Sequence, residues 1–181
     1  IVIDSKSRYA YISIMGEDKI AIVKLTGTAP VTWIDNVGIT PRHLTLGPAD
    51  RFLYVSLDRE GLVKKYDLVR GRMVGELEPG KGPRSMVLAP NGQYLYVANY
   101  IDNTVVRVRT EDMVITQTVE THEKPIGTTF DPANYTLWVA CYTGSIIVFE
   151  DQDLRQQMNP TVNQIPVDPN EGGDNTYTYI P

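Results

Sequence analysis

Gly82-Pro83-Arg84-Ser85-Met86-Val87-Leu88-Ala89-Pro90-Asn91-Gly92-Gln93-Tyr94-Leu95-Tyr96-Val97-Ala98-Asn99 reads as two short strands folded about one tight turn. Pro90 fixes φ at the turn entry, and Asn91 and Gly92 tolerate its tighter positions. The aromatic and β-branched residues of 94–99 suit a pleated surface that packs against neighbours. The same arrangement recurs in both directions along the chain. Pro41, Pro83 and Pro125 are 42 residues apart, and so are Pro48, Pro90 and Pro132, and Tyr54, Tyr96 and Trp138. A fourth, offset copy sets Tyr11 against Tyr54 at a spacing of 43.

Each unit follows one order. A first strand at 1–4, 43–47, 85–89 and 127–131 leads through the turn to the regular second strand at 9–14, 52–57, 94–99 and 136–141. A polar turn and a third strand follow, at 19–25, 62–68, 104–110 and 145–150. A fourth strand is read at 31–37, 73–77 and 114–119, with 164–167 completing the last copy. Turns every 8–12 residues mark an all-β chain. Helical periodicity is confined to 151–158, where one short turn is expected.

A four-stranded unit of about 42 residues cannot bury both its faces alone. Radial packing of such sheets around an axis solves that problem and leaves only short edges. The expected fold is therefore an all-β propeller of four-stranded antiparallel blades, with about four blades at 1–39, 40–81, 82–123 and 124–158. Residues 159–181, interrupted by Pro160, Pro166, Pro169 and Gly172-Gly173, read as an extended tail. The alternative is a tail that packs on the last blade through Ile165, Val167, Tyr177, Tyr179 and Ile180.

The stretch Tyr96-Val97-Ala98-Asn99, with the Pro90-Asn91-Gly92 turn before it and Asp102-Asn103-Thr104-Val105-Val106 after it, resembles the YVTN-type propeller repeat. Tyr54-Val55-Ser56-Leu57 and Trp138-Val139-Ala140-Cys141 lack the final Asn, and Tyr11-Ile12-Ser13-Ile14 departs further. The resemblance implies a lactonase-like or surface-layer-like propeller, usually of seven blades, exported to the bacterial periplasm or cell surface. Four blades leave three routes to a closed ring. The remaining blades lie upstream, two copies join into eight blades, or four blades close alone. The start at Ile1, already inside a strand with no leader before it, favours the first and a processed chain.

Composition narrows the function. Hydrophobic residues make up 42% and charged residues 22%, as in soluble globular proteins. No apolar run approaches the roughly 20 residues of a membrane helix. A net charge of −5 disfavours nucleic acid as a partner. The one cysteine, Cys141, excludes an intrachain disulfide or a cysteine-built zinc site and reads as a small buried hydrophobe.

Candidate chemistry is sparse. Gly75-Glu76-Leu77-Glu78-Pro79-Gly80-Lys81-Gly82 approaches a P-loop, but Gly82 stands where Ser or Thr should follow the lysine, and no helix is expected. Asp168-Pro169-Asn170-Glu171-Gly172-Gly173-Asp174 offers oxygens without the closing Glu of a calcium loop. Asn134-Tyr135-Thr136 fits a glycosylation pattern that its turn already explains. His122 stands in a connector without an evident partner. No metal and no cofactor is expected.

The ligand-binding candidates are Arg42, His43, Arg84, Tyr100 and Tyr142. Arg42 and Arg84 stand one period apart just before the innermost strand, near the expected channel mouth, where guanidinium groups would grip a carboxylate or phosphate. Ile126 breaks that series, and Glu123, Asp102 or Asp58 offer the arginines a structural partner instead. Tyr100 and Tyr142 follow the second strands as loop aromatics suited to a partner or ligand. The expected function is a non-enzymatic binding or scaffold propeller that recognises a protein or small ligand through one face, or pairs with missing blades or a second copy. The alternative is a lactonase-like or redox-cofactor enzyme with its site at the central channel.

Overall fold

The computed structural model describes residues 1–158 and the strand 177–180. Four four-stranded sheets follow one another along the chain. Blade 1 holds β1 (Val2–Ile3), β2 (Tyr9–Ile14), β3 (Lys19–Lys24) and β4 (Thr32–Ile34). Blade 2 holds β5 (Pro41–Leu46), β6 (Phe52–Leu57), β7 (Leu62–Asp67) and β8 (Arg72–Leu77). Blade 3 holds β9 (Pro83–Leu88), β10 (Tyr94–Asn99), β11 (Thr104–Arg109) and β12 (Val114–Glu120). Blade 4 holds β13 (Pro125–Asp131), β14 (Thr136–Cys141) and β15 (Ile146–Asp151), then the helix α1 (Gln152–Met158) and β16 (Tyr177–Ile180). This is the all-β arrangement of a partial β-propeller.

The inner strands begin earlier than their side chains suggest, at Pro41, Pro83 and Pro125. Proline gives no N–H to a ladder and is tolerated at the first residue of an edge strand. The register slips just beyond each proline, between Pro41 and Leu44, between Pro83 and Ser85, and between Pro125 and Gly127. Strand β4 is shorter than its 31–37 reading, because the chain turns through Asn36 at φ 53° and Gly38 at φ 127°. The expected strand 164–167 lies outside the described residues. The outer place in blade 4 is taken by β16, which runs parallel to β15 where the other blades close antiparallel.

Blades meet face to face, and the alternation of a strand explains how. In β6, Leu53, Val55 and Leu57 face blade 1, while Tyr54 faces blade 3. Both faces of the middle blades are therefore buried, and their second strands carry apolar residues at nearly every position. Burial of each such leucine contributes about 1.5–3 kcal/mol. The turn at Gly92 also belongs to a junction. Its φ is 70°, and an added Cβ would lie 2.2 Å from Pro48 Cγ of blade 2, so glycine is required there.

Residues directly across the second and third strands repeat in every blade: Tyr11 with Ile22, Tyr54 with Lys65, Tyr96 with Arg107, and Trp138 with Val148. The residue that closes each third strand, its last or the one just after it, also recurs. Its N–H donates to the residue before the second strand: Leu25 to Arg8, Leu68 to Arg51, Thr110 to Gln93, and Asp151 to Tyr135. Lys65 Nζ reaches forward to the Thr110 carbonyl at 2.6 Å, and Arg107 Nη1 reaches Asp151 Oδ1 at 2.9 Å. One blade's cation thus ties into the next blade at a fixed place.

Candidate functional site

The inner-strand starts, the turns between second and third strands, and the connectors from the preceding blade gather at one end of the sheets. Equivalent backbone bonds hold them. Asp58 N–H donates to the Thr40 carbonyl at 3.2 Å, Tyr100 N–H to Gly82 at 2.8 Å, and Tyr142 N–H to Lys124 at 2.9 Å. Thr40, Gly82 and Lys124 all take left-handed backbone, at φ 60°, 67° and 59°. Two non-glycine residues in that region show the connector geometry to be imposed by the fold. Loop side chains brace the connectors further. Asp102 Oδ2 accepts from Lys81 N–H at 2.7 Å, Glu60 Oε1 from Ile39 N–H at 2.8 Å, and Asn103 Oδ1 from Lys124 N–H at 2.8 Å.

This frame sets position 42, 84 or 126 beside position 58, 100 or 142. Arg42, Arg84 and Ile126 each occupy the slipped register of their inner strand, where a bulge re-aims the side chain. In blade 2, Arg42 Nη1 lies 3.9 Å from Asp58 Oδ2. In blade 3, the Arg84 guanidinium lies 4.3 Å from the centroid of the Tyr100 ring. In blade 4, Ile126 is 37% and Tyr142 68% exposed. Asp102, one of the acids weighed as a partner for the arginines, accepts the Lys81 N–H. Among the described residues, no carboxylate lies within ion-pair distance of Arg84.

His43 is turned away from this group. Its Nδ1 accepts from the Met86 N–H of blade 3 at 2.8 Å, and its own N–H donates to Ser56 Oγ at 3.0 Å. Burial holds its pKa below the ordinary histidine value. Ser85 does the same work one blade on: its Oγ accepts from Thr128 N–H at 3.0 Å. The structure thus joins Arg84 to Tyr100 and Arg42 to Asp58, leaves Tyr142 apart, and spends His43 on a blade junction.

Two clusters escaped the sequence. Arg107, Asp151 and Tyr96 form a buried network between blades 3 and 4, with Tyr96 Oη donating to Asp151 Oδ2 and the half-exposed Asp153 accepting from Arg107 at its edge. Its one signal was an arginine inside a valine-rich strand. His122 Nδ1 lies 2.8 Å from Ser145 Oγ, a pairing that no spacing announced. Cys141 donates to the His122 carbonyl at 3.6 Å, and burial raises its thiol pKa. The P-loop-like stretch is not one. Gly75 lies inside β8, and a strand rather than a helix follows Gly82. The 168–174 loop lies outside the described residues.

Comparison with known proteins places this geometry. The cytochrome D1 heme domain family, an eight-bladed β-propeller, matches residues 12–134. The chain belongs to that family. It is 31% identical over 110 residues to hydrazine synthase subunit beta of Kuenenia stuttgartiensis, covering 61% of this chain and 24% of that protein. The Kuenenia stuttgartiensis hydrazine synthase structure superposes with a TM-score of 0.75 at 21% identity, over 82% of this chain and 44% of that one. A putative 6-phosphogluconolactonase of Bacteroides fragilis gives 0.75 at 21%, over 84% and 50%. The dihydro-heme d1 dehydrogenase NirN gives 0.64 at 18%, over 77% and 31%. These structural likenesses show the fold. The chain spans half or less of each of these relatives. The propeller expected from the repeat stands, and the matching family is the cytochrome D1 heme domain.

The family's name raises heme, and the residues of this cytochrome D1-type chain test it. A heme iron takes a lone pair from its axial ligand. His43, the inner-strand histidine, gives its Nδ1 lone pair to Met86 N–H, which leaves the proton on Nε2. His122 is exposed in the connector before β13, apart from His43. Among the described residues, no group of three or more His, Cys, Asp or Glu is arranged to hold a metal. His43 thus has no free lone pair to offer a heme iron. None of the described helices is long and apolar enough to cross a membrane.

Proposed function

We propose that this chain is a binding and scaffold portion of a cytochrome D1-type propeller, and that it recognises an anionic group at the channel mouth through Arg84. The supporting observation is the Arg84 guanidinium held 4.3 Å over Tyr100, with no ion-paired acid among the described residues. A guanidinium offers a planar fork to carboxylate or phosphate, and a ring beneath it restrains the fork without neutralising it. The variable loops on rigid blades suit recognition. Protein partners accord with the likeness to a subunit of hydrazine synthase. An extracytoplasmic place, periplasmic or at the cell surface, belongs to the same reading, as does the YVTN-like pattern of blade 3.

Citrate and inorganic phosphate, titrated by calorimetry into the protein, serve as probes. Binding that weakens at least tenfold in Arg84→Ala, with Arg42→Ala less affected, is the expected result. Equal binding by Arg84→Ala and the parent protein would refute the site.

The enzymatic alternative, lactonase-like or redox-cofactor, draws on the fold shared with the Bacteroides fragilis protein and with NirN. Hydrolysis of 6-phosphogluconolactone by the protein, abolished in Arg84→Ala, would favour it over the binding-only reading.

A further inference from the structure

Two of the three junctions between blades are filled at one place by a side chain that the third lacks. Three residues past the one that closes each third strand stand Gly71, Met113 and Leu154, in blades 2, 3 and 4. Met113 packs into the junction of blades 2 and 3 with Val63 and Val108, and is 7% exposed. Its Cγ would lie 2.9 Å from a Cβ added at Gly75 of blade 2. Leu154 packs into the junction of blades 3 and 4 and is wholly buried. Gly71 brings no side chain to the junction of blades 1 and 2. Its backbone is nevertheless that of Met113, at φ 62° against 58°. A Cβ added at Gly71 would meet nothing within 4 Å.

A cavity of about 400 Å³ stands at that place, between the outer parts of blades 1 and 2. Sites for small molecules occupy roughly 300–1,000 Å³. Ile22, Trp33, Ile34, Leu68 and Met73 give the cavity apolar walls. Two opposite charges line it as well: Asp35, just past β4, and Arg72, at the start of β8. Among the described residues, neither side chain makes an ion pair or a hydrogen bond, with the other or with any neighbour. Lys19 acts on Asp35 from a distance, but its ammonium is paired with Glu17 at 2.8 Å. An apolar hollow thus carries one unpaired anion and one unpaired cation, each from a different blade.

We propose that this cavity binds a free amino acid with a large, unbranched apolar side chain, of the methionine type. The side chain takes the space that Met113 fills one blade on, and a flexible thioether suits an irregular gap. The α-ammonium meets Asp35, and the α-carboxylate meets the Arg72 fork. A residue inside a peptide carries neither charge, so the pair of charges selects the free amino acid. The turn between β7 and β8 lies at the end of the sheet opposite the channel mouth, so the proposal is independent of the anion site at Arg84.

Equilibrium dialysis of the whole chain against radiolabelled L-methionine tests it. Saturable retention of the label is expected. Gly71→Met supplies the missing side chain on a backbone that Met113 already adopts. It is expected to abolish retention and to leave the urea midpoint no lower than that of the parent protein. Asp35→Asn and Arg72→Gln are each expected to weaken binding at least tenfold. N-acetyl-L-methionine amide, which keeps the side chain and lacks both charges, is expected to compete at least tenfold more weakly than L-methionine. No retention by the parent protein would overturn the proposal. Equal retention by Gly71→Met would overturn it too, by placing the amino acid elsewhere, the channel mouth included. So would an amide that competes as well as L-methionine, or charge variants that bind like the parent protein, since either would leave an apolar slot without selection for the free amino acid.

Discussion

The junction between blades 3 and 4 and the junction between blades 1 and 2 use the same positions with opposite chemistry. At the first, Arg107 and Asp151 are almost wholly removed from water, at 7% and 0% exposure. All three guanidinium nitrogens of Arg107 are engaged. Arg107 Nη1 meets both Asp151 oxygens at 2.9 and 3.0 Å, Nη2 meets Asp153 at 2.9 Å, and Nε meets Thr116 Oγ1 at 3.2 Å. Asp151 also accepts from Leu154 N–H, which ties α1 to the network. At the second junction, Ile22 and Leu68 take the places of arginine and aspartate, and Tyr11 is buried beside them. The comparison teaches that the propeller needs a filled position, not a charged one. Charge adds selectivity: a buried ion pair costs desolvation that only its own partner offsets. A blade bearing Arg107 is thereby committed to a neighbour bearing Asp151.

The largest expected effect is the loss of one member of the pair. Asp151→Ala leaves Arg107 buried without its main partner and is expected to cost about 3–5 kcal/mol in urea unfolding. Converting the whole set to the other junction's type, by Tyr96→Phe, Arg107→Ile and Asp151→Leu together, is expected to recover most of that loss. If the triple variant is as unstable as the single one, the two junctions are not interchangeable.

Lys65 should matter less. It is 7% exposed, lies 4.3 Å from the Phe52 ring centroid and gives one hydrogen bond to the Thr110 carbonyl. Burial lowers its pKa, as does the nearby Arg51, so its charge is already held at a cost. Lys65→Met keeps the volume and removes the one bond, and a change of about 1 kcal/mol is expected by the same measurement. A loss as large as that of Asp151→Ala would mean that blade 2 also depends on its charge.

The smallest expected effect is a pH slope. The folded His43 pKa lies below the ordinary 6.5, so the unfolded chain binds its proton first as pH falls. The stability it contributes is complete above 6.5 and declines as pH drops through the folded value, where protonation takes the acceptor from Met86 N–H. His43→Ser substitutes the group that Ser85 already uses one blade on, and it should flatten stability between about pH 7 and pH 5. An unchanged slope would assign the titration elsewhere.

Much of the fold was legible because the repeat writes it directly. The second strands, the Pro90-Asn91-Gly92 turn and the recurring prolines need only local geometry. The strand starts at Pro41, Pro83 and Pro125 were missed, since the bulge beyond each proline hides the pairing from a side-chain pattern. Residues 177–180 were weighed as part of a tail packing on the last blade, but their parallel pairing with β15 was out of reach, since it depends on the path the chain takes to get there. The equivalence of positions 42 and 84, and of 100 and 142, was readable from the period, and it is on these positions that the proposed site rests. The turn of His43 into the next blade was not readable, because it depends on an N–H from a residue 43 positions away.

By itself the sequence determined the four units, their strand order and the need for each to be covered, since a period and an alternation are properties of the chain alone. Only the tertiary structure decided which residues meet across blades. Arg107 finds Asp151, His43 finds Met86, and Arg84 lies over Tyr100 rather than beside an acid. Such pairings arise from the angle at which one sheet lies on the next, and no spacing along the chain encodes that angle.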